Sequence, residues 1–133
     1  VYRRIVLVED DATFRRVIAR NLTRRGARVH EAETAERAIA TVLAERPELI
    51  LLDLNLPDRS GWEVLREVRR HGVEVPTIVM SVVRVRPDQR EEFGLLATLT
   101  KPFALDALLP LVLGPPSGSG ASLNGERNDP AIP

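Results

Sequence analysis

Lys101 is the only lysine in the 133 residues; every other one of the 19 basic side chains is an arginine. It follows a short apolar run, "ATLT" at 97–100, and precedes Pro102. Arginine is a planar fork that grips two oxygens, whereas lysine is a compact point charge suited to a single oxygen in a crowded pocket. Three other apolar runs also carry polar residues at or near their ends: "RIVLV" is followed by Glu9, Asp10 and Asp11, "ELILLD" ends on Asp53 itself, and "TIVMSVV" holds Ser81 late in its length. Brought together, these groups would be carboxylates, one hydroxyl and one ammonium. Two carboxylates about 4 Å apart repel by roughly 4 kcal/mol at an effective dielectric of 20, so such a cluster calls for a cation. An all-oxygen set, with no cysteine in the chain and no histidine nearby, favours Mg²⁺ or Mn²⁺ over Zn²⁺. Metal, carboxylate, hydroxyl and ammonium together suggest phosphoryl chemistry, with Asp53 as the candidate nucleophile, because a carboxylate can form an acyl phosphate. Lys101, Ser81 and the metal would each take one phosphoryl oxygen.

The groups meet only if the elements carry them to one edge. The apolar runs at 4–8, 27–31, 48–53, 77–83 and 97–100 read as strands, and the run at 48–53 as the sheet centre. Between them, Phe14, Val17, Ile18 and Leu22 recur at helical spacing, with Gly26 as a left-handed stop. Thr34 caps a helix with the stripe Ala35, Ala38, Ile39, Val42 and Leu43, and Pro47 stops it. Ser60 and Glu63 form a capping box for a third helix, with Trp62, Leu65 and Val68 facing inward and Gly72 at its end. Residues 84–94 are charged and ambiguous, with Pro87 fitting the first turn of a short helix. The last helix, at 104–113, should kink or end at Pro110. Strands alternating with helices imply an α/β fold with a parallel sheet covered on both faces. Ligands bind such sheets at the carboxyl ends of the strands, where Glu9, Asp10, Asp53, Ser81 and Lys101 all fall.

Bulk properties exclude several classes. Length argues for one domain, residues 1–113, followed by a Gly/Pro/Ser-rich segment at 114–133 that reads as a disordered tail or linker. The formal charge is zero, which gives no pull towards nucleic acid or membrane. No apolar run approaches the roughly 20 residues of a membrane span, and "VYRRIVLVEDD" does not fit a signal peptide, so a cytoplasmic protein is expected.

The acid pair, "LLDLNLPDRSG" around Asp53, the hydroxyl ending strand four and "KPF" after strand five resemble the receiver domain of two-component response regulators, over about residues 3–113. D-x-N-x-P with Gly61 eight residues after Asp53, joined to the acid pair and Lys-Pro, is jointly specific. The resemblance implies a flavodoxin-like, doubly wound five-stranded sheet in the order 2-1-3-4-5. It implies that Asp53 accepts a phosphoryl group from a phosphohistidine of a sensor histidine kinase or phosphotransfer protein. Glu9 and Asp10 match the acid pair, Asp10 being the closer match to a direct metal ligand, and Asn55 would offer its backbone carbonyl. Ser81 and Lys101 would engage the phosphoryl oxygens. The domain would assist its own phosphorylation and dephosphorylation and turn over no small molecule. A downstream protein or output domain, and a phosphorylation-dependent dimer, are the partner classes implied, with no nucleic-acid or membrane contact by this domain.

Other positions read more plainly. Asp11 reads as a helix N-cap or solvated acid. Arg15, Arg16, Arg20, Arg24 and Arg25 read as a solvated helix face or part of a docking surface, and His30 and His71 as surface or strand-edge residues. Asp53-x-Asn55 also fits the start of an EF-hand loop, but position twelve would be Val64, which cannot ligate. An aspartyl-phosphate phosphatase of the haloacid dehalogenase type needs a second Asp where Asn55 stands.

Two positions depart from the family pattern. Val82 follows the hydroxyl where a small residue is usual, and Thr98 replaces the usual aromatic of strand five. They leave open a divergent receiver acting as a phosphorylation-independent interaction module. Val83, two past the hydroxyl, is expected to shield the phosphoryl group from water.

Overall fold

β-Branched and leucine-rich pentapeptides form the middle of the sheet, because residues buried on both sides need continuous apolar character. In the computed structural model, which describes residues 1–114, the strands are β1 (Arg4–Val8), β2 (Arg28–Ala32), β3 (Leu49–Asp53), β4 (Thr77–Ser81) and β5 (Ala97–Thr100). The helices are α1 (Ala12–Arg24), α2 (Ala35–Glu45), α3 (Gly61–Arg70), α4 (Pro87–Phe93) and α5 (Leu105–Leu113). All pairings are parallel and the order is β2-β1-β3-β4-β5, the order implied by the family resemblance. The segment expected to be a disordered tail or linker lies, beyond Gly114, outside the described residues.

Strand alternation divides the core in two. Val6, Val8, Ile50 and Leu52 face α2 and α3, meeting Ala38, Val42, Val64 and Val68. Ile5, Leu7, Leu51 and Met80 face α1 and α5, meeting Ile18, Leu22, Leu108 and Val112. β3 is buried along its whole length, as expected of the centre, and β4 is equally buried.

Local signals account for most boundaries. Asp11 caps α1 by accepting the Phe14 N–H at 3.1 Å, and Thr34 caps α2 by accepting that of Arg37 at 3.1 Å. Gly26, just past α1, has φ +97°, a conformation that costs a side chain dearly. Ser60 caps α3 through the Trp62 N–H at 3.2 Å, while Glu63 turns to Arg59 at 3.9 Å instead of closing a box. Pro87 opens α4.

Four expectations need correction. β4 stops at Ser81, so Val82 and Val83 lie outside the sheet and are exposed. Val17 is exposed and Arg15 buried: Arg15, Ile18 and Leu22 lie at i, i+3, i+7, and the arginine takes the inward place. Pro110 does not end α5, which runs on to Leu113. It sits on the exposed side, where water can satisfy the carbonyl that its missing N–H leaves free. Trp62 is only half-buried, stacked on Phe93 at 4.7 Å between ring centroids.

Candidate functional site

Register brings the chemistry to one edge. Val8 pairs with Leu52, Asp53 with Met80, and Ser81 with Thr100. Glu9, Asp53, Ser81 and Lys101 therefore emerge side by side at the carboxyl ends of four adjacent strands. The Lys101 N–H donates to the Ser81 carbonyl at 2.8 Å, which continues the β4–β5 pairing to the lysine itself.

The Lys101 ammonium donates to Glu9 Oε1 at 2.7 Å and to Asp53 Oδ2 at 3.2 Å. Glu9 and Asp53 are buried, and Asp10 faces solvent. All three acids present a carboxylate oxygen within 4.8 Å of one another. Asp53 Oδ1 accepts the Asn55 N–H at 3.1 Å, and Glu9 Oε2 accepts that of Asp11 at 3.1 Å. Burial pushes the Glu9 carboxyl up from 4.5 to about 7, against the hydrogen bonds from Lys101 and the Asp11 N–H, which pull it down. Burial also works against the Lys101 charge, but the hydrogen bond and charge of Glu9, with Asp53 behind them, hold the ammonium above the usual lysine value.

The charged end of Lys101 has further support. Its ammonium lies 5.1 Å from the centroid of the Phe14 ring, and Phe14 meets Phe103 edge-on at 5.6 Å. Gly61 packs directly beneath Asp53: a Cβ there would fall 2.6 Å from the Asp53 carbonyl oxygen and 2.8 Å from Leu54 Cα. The glycine eight residues past the acid is thus required by close approach of two backbones.

Ser81 is buried, and its Oγ accepts the Val83 N–H at 3.0 Å, so the hydroxyl proton is left to donate elsewhere. Val82 and Val83 are 65% and 69% exposed, beside a groove of about 450 Å³ that also touches Asn55 and Trp62. Thr98 is half-buried on β5, paired with Val79. His30 lies on the edge strand, 3.4 Å from Glu45, and His71 just past α3, 3.8 Å from Glu67, and neither belongs to the acid cluster.

The residues present fit a hard divalent cation. Their donors are all oxygen, and the two buried carboxylates are ion-paired with no side chain except Lys101 among the described residues. Asp10 adds a carboxylate on the open side.

Three contributors were hidden in the sequence. Arg15 donates to the Glu9 carbonyl at 2.9 Å and to Glu31 at 2.8 Å; its place on the inward helical stripe was the available signal. Phe14 read as core, and nothing local placed it beneath Lys101. Asp58, in the loop after β3, accepts the N–H groups of Ala35 and Glu36 at 2.8 and 3.0 Å, tying that loop to the start of α2. That contact spans over twenty residues of sequence and left no local trace.

A model of the response regulator receiver domain matches residues 5–113. The KDP operon transcriptional regulatory protein KdpE of Escherichia coli (strain K12) is 36% identical over 109 residues, covering 78% of this chain and 47% of that protein. The cell cycle response regulator CtrA of Brucella abortus (strain 2308) is 35% identical over 108 residues, covering 80% and 47%. The chain thus spans about half the length of the curated relatives it matches. Among solved structures, the non-phosphorylated HemR receiver domain from Leptospira biflexa superposes with a TM-score of 0.75 at 26% identity, covering 82% of this chain and 90% of that one. A CheY-like receiver domain protein from Methanospirillum hungatei gives 0.74 at 26%, covering 82% and 89%.

Proposed function

The chain belongs to the response regulator receiver domain family, and from that premise we propose that Asp53 is its phosphoacceptor, charged by a phosphohistidine of a sensor histidine kinase or phosphotransfer protein. The supporting observation is the Lys101 ammonium at 3.2 Å from Asp53 and 2.7 Å from Glu9, a cation set between the candidate nucleophile and its acid neighbour. An Asp53 carboxylate oxygen attacks phosphorus. The P–N bond to the imidazole breaks with its electron pair left on the ring, and a P–O bond forms.

Mg²⁺ or Mn²⁺ on Asp10 and Asp53, with Glu9 and the Asn55 carbonyl completing the set, would neutralise charge on the phosphoryl oxygens. Lys101 balances one such oxygen, and the Ser81 hydroxyl, whose proton is uncommitted, donates to another. The Asn55 N–H fixes the orientation of the Asp53 carboxylate. The domain assists its own phosphorylation and dephosphorylation and turns over no small molecule. Drawing Ser81 towards the phosphoryl group pulls on Val83, to which its oxygen is bonded, and so reshapes the 82–94 segment. That segment, or a dimer formed through the change, would carry the signal to a downstream protein or output domain in the cytoplasm.

Intact mass after treatment with acetyl phosphate and Mg²⁺ tests this. Wild type should gain one phosphoryl group and Asp53→Asn none; a gain that survives the substitution would reject Asp53.

The alternative, a phosphorylation-independent interaction module, is favoured by two observations. Val82 and Val83 are exposed, and Thr98 offers no aromatic ring to couple to Ser81. A partner bound equally well by phosphorylated and unphosphorylated protein would support it. Val83 now points to solvent; it shields the phosphoryl group only if the loop folds over, and a phosphoryl half-life of seconds would exclude that role.

A further inference from the structure

We propose that Arg15 is a positioning residue for the acid cradle, setting the direction in which Asp10 leaves β1; this rests on the reading of Asp10 and Asp53 as cation ligands. Arg15 is the one arginine of α1 that is buried. A buried guanidinium persists only when its charge and donors are matched. Its Nη1 donates to the Glu9 carbonyl at 2.9 Å and its Nε to Glu31 Oε1 at 2.8 Å. The Glu9 N–H is held in turn by the Ala32 carbonyl at 3.0 Å. The backbone of Glu9 is therefore gripped on both sides, by the end of β2 and, through Arg15, by α1.

The gripped carbonyl belongs to the peptide unit that joins Glu9 to Asp10. That unit is planar, so fixing its oxygen fixes the plane on which the Asp10 Cα lies. Asp10 is exposed, and among the described residues no hydrogen bond or ion pair holds its carboxylate. Its position therefore depends on the backbone that delivers it. The Asp11 N–H, bonded to Glu9 Oε2, closes the same turn. Partners that orient the ligands of a metal typically change its affinity by about 10- to 100-fold when removed.

Arg15 also places a positive charge near a site for a cation, and Glu31 neutralises it. The two effects have opposite signs. If charge dominated, removing the guanidinium would tighten cation binding; if positioning dominates, removal weakens it.

Titration of Mg²⁺ into the metal-free chain by calorimetry separates them. Arg15→Met should raise the Kd for Mg²⁺ about tenfold. Its phosphorylation by acetyl phosphate should show the loss chiefly as a higher half-saturating Mg²⁺ concentration. Arg15→Lys, able to reach the Glu9 carbonyl or Glu31 but not both, should fall between the two. It carries the test alone if the methionine variant does not fold. A purely structural role would lower the melting temperature and leave the Kd of the folded protein unchanged. A Kd equal to wild type, or tighter, in both variants overturns the proposal. Wild type that binds no Mg²⁺ rejects the metal reading instead, and this inference with it.

Discussion

At the scale of single residues, Lys101 does part of what a bound cation would do. It pairs with both Glu9 and Asp53, at 2.7 and 3.2 Å. A metal at the same acids must share them with the ammonium. Unit charges at 4 Å interact by roughly 4 kcal/mol at a dielectric of 20, and partial solvent exposure of the lysine reduces this. Lys101→Met should therefore bind Mg²⁺ more tightly, by about tenfold (~1.4 kcal/mol), while its phosphorylation falls; weaker Mg²⁺ binding in the titration would contradict the competition. Gly61→Ala acts at the same scale. A methyl group 2.6 Å from the Asp53 carbonyl cannot fit without moving β3 or α3. Overpacking of this kind costs about 1–3 kcal/mol, which urea unfolding would show as a lower midpoint.

At the scale of elements, two features test how helices meet the sheet. Pro110 lies inside α5 on its exposed side. Proline in a helix interior is about 3 kcal/mol less favourable than alanine. Pro110→Ala restores an N–H for the Asp106 carbonyl, so it should raise stability by about 1–3 kcal/mol and raise the melting temperature. Asp58 staples the loop after β3 to α2. The Ala35 N–H, with that of Glu36 and against a smaller opposing pull from desolvation, holds the Asp58 carboxyl below its ordinary value of 3.8. Because the folded state depresses this pKa, the stability it contributes is complete above the unfolded value. It is lost as pH falls through the folded one. Asp58→Asn should be less stable than wild type at neutral pH, and the deficit should close below about pH 4. Stability curves that stay parallel across that window would exclude the linkage.

At the scale of the whole molecule, a central strand buried on both faces separates stability from chemistry. Leu51 lies within β3 and faces α1 and α5, whereas Asp53 ends the strand at the site. Leu51→Ala should cost about 2–5 kcal/mol in chemical denaturation. It should still gain a phosphoryl group in the mass measurement, because the acids, Lys101 and the strand register remain. The family places the chain among signalling receivers, and the two apolar layers give the sheet edge a rigid base. A phosphoryl mimic bound with Mg²⁺ should shift backbone signals between 82 and 94 and leave β1 and β3 largely still. An unperturbed 82–94 segment would instead favour the interaction-module reading.

Hydrophobic periodicity made most of the strands and helices legible in the amino-acid sequence, because burial on two faces demands continuous apolar runs and burial on one demands a stripe, whereas the charged stretch that holds α4 shows neither. The same logic brought Glu9, Asp10, Asp53, Ser81 and Lys101 to one edge, since parallel strands all end on the same side. What lay beyond reach were the supporting contacts that other distant residues make around this set. Arg15 takes the inward place on a helical stripe only because Glu31 and the Glu9 carbonyl wait there. Asp58 caps a helix more than twenty residues before it, and Phe14 underlies a lysine just past the last strand. Pro110 survives in its helix because that side faces water. Local pattern fixes which face a residue prefers, while only the assembled fold decides what it finds on that face.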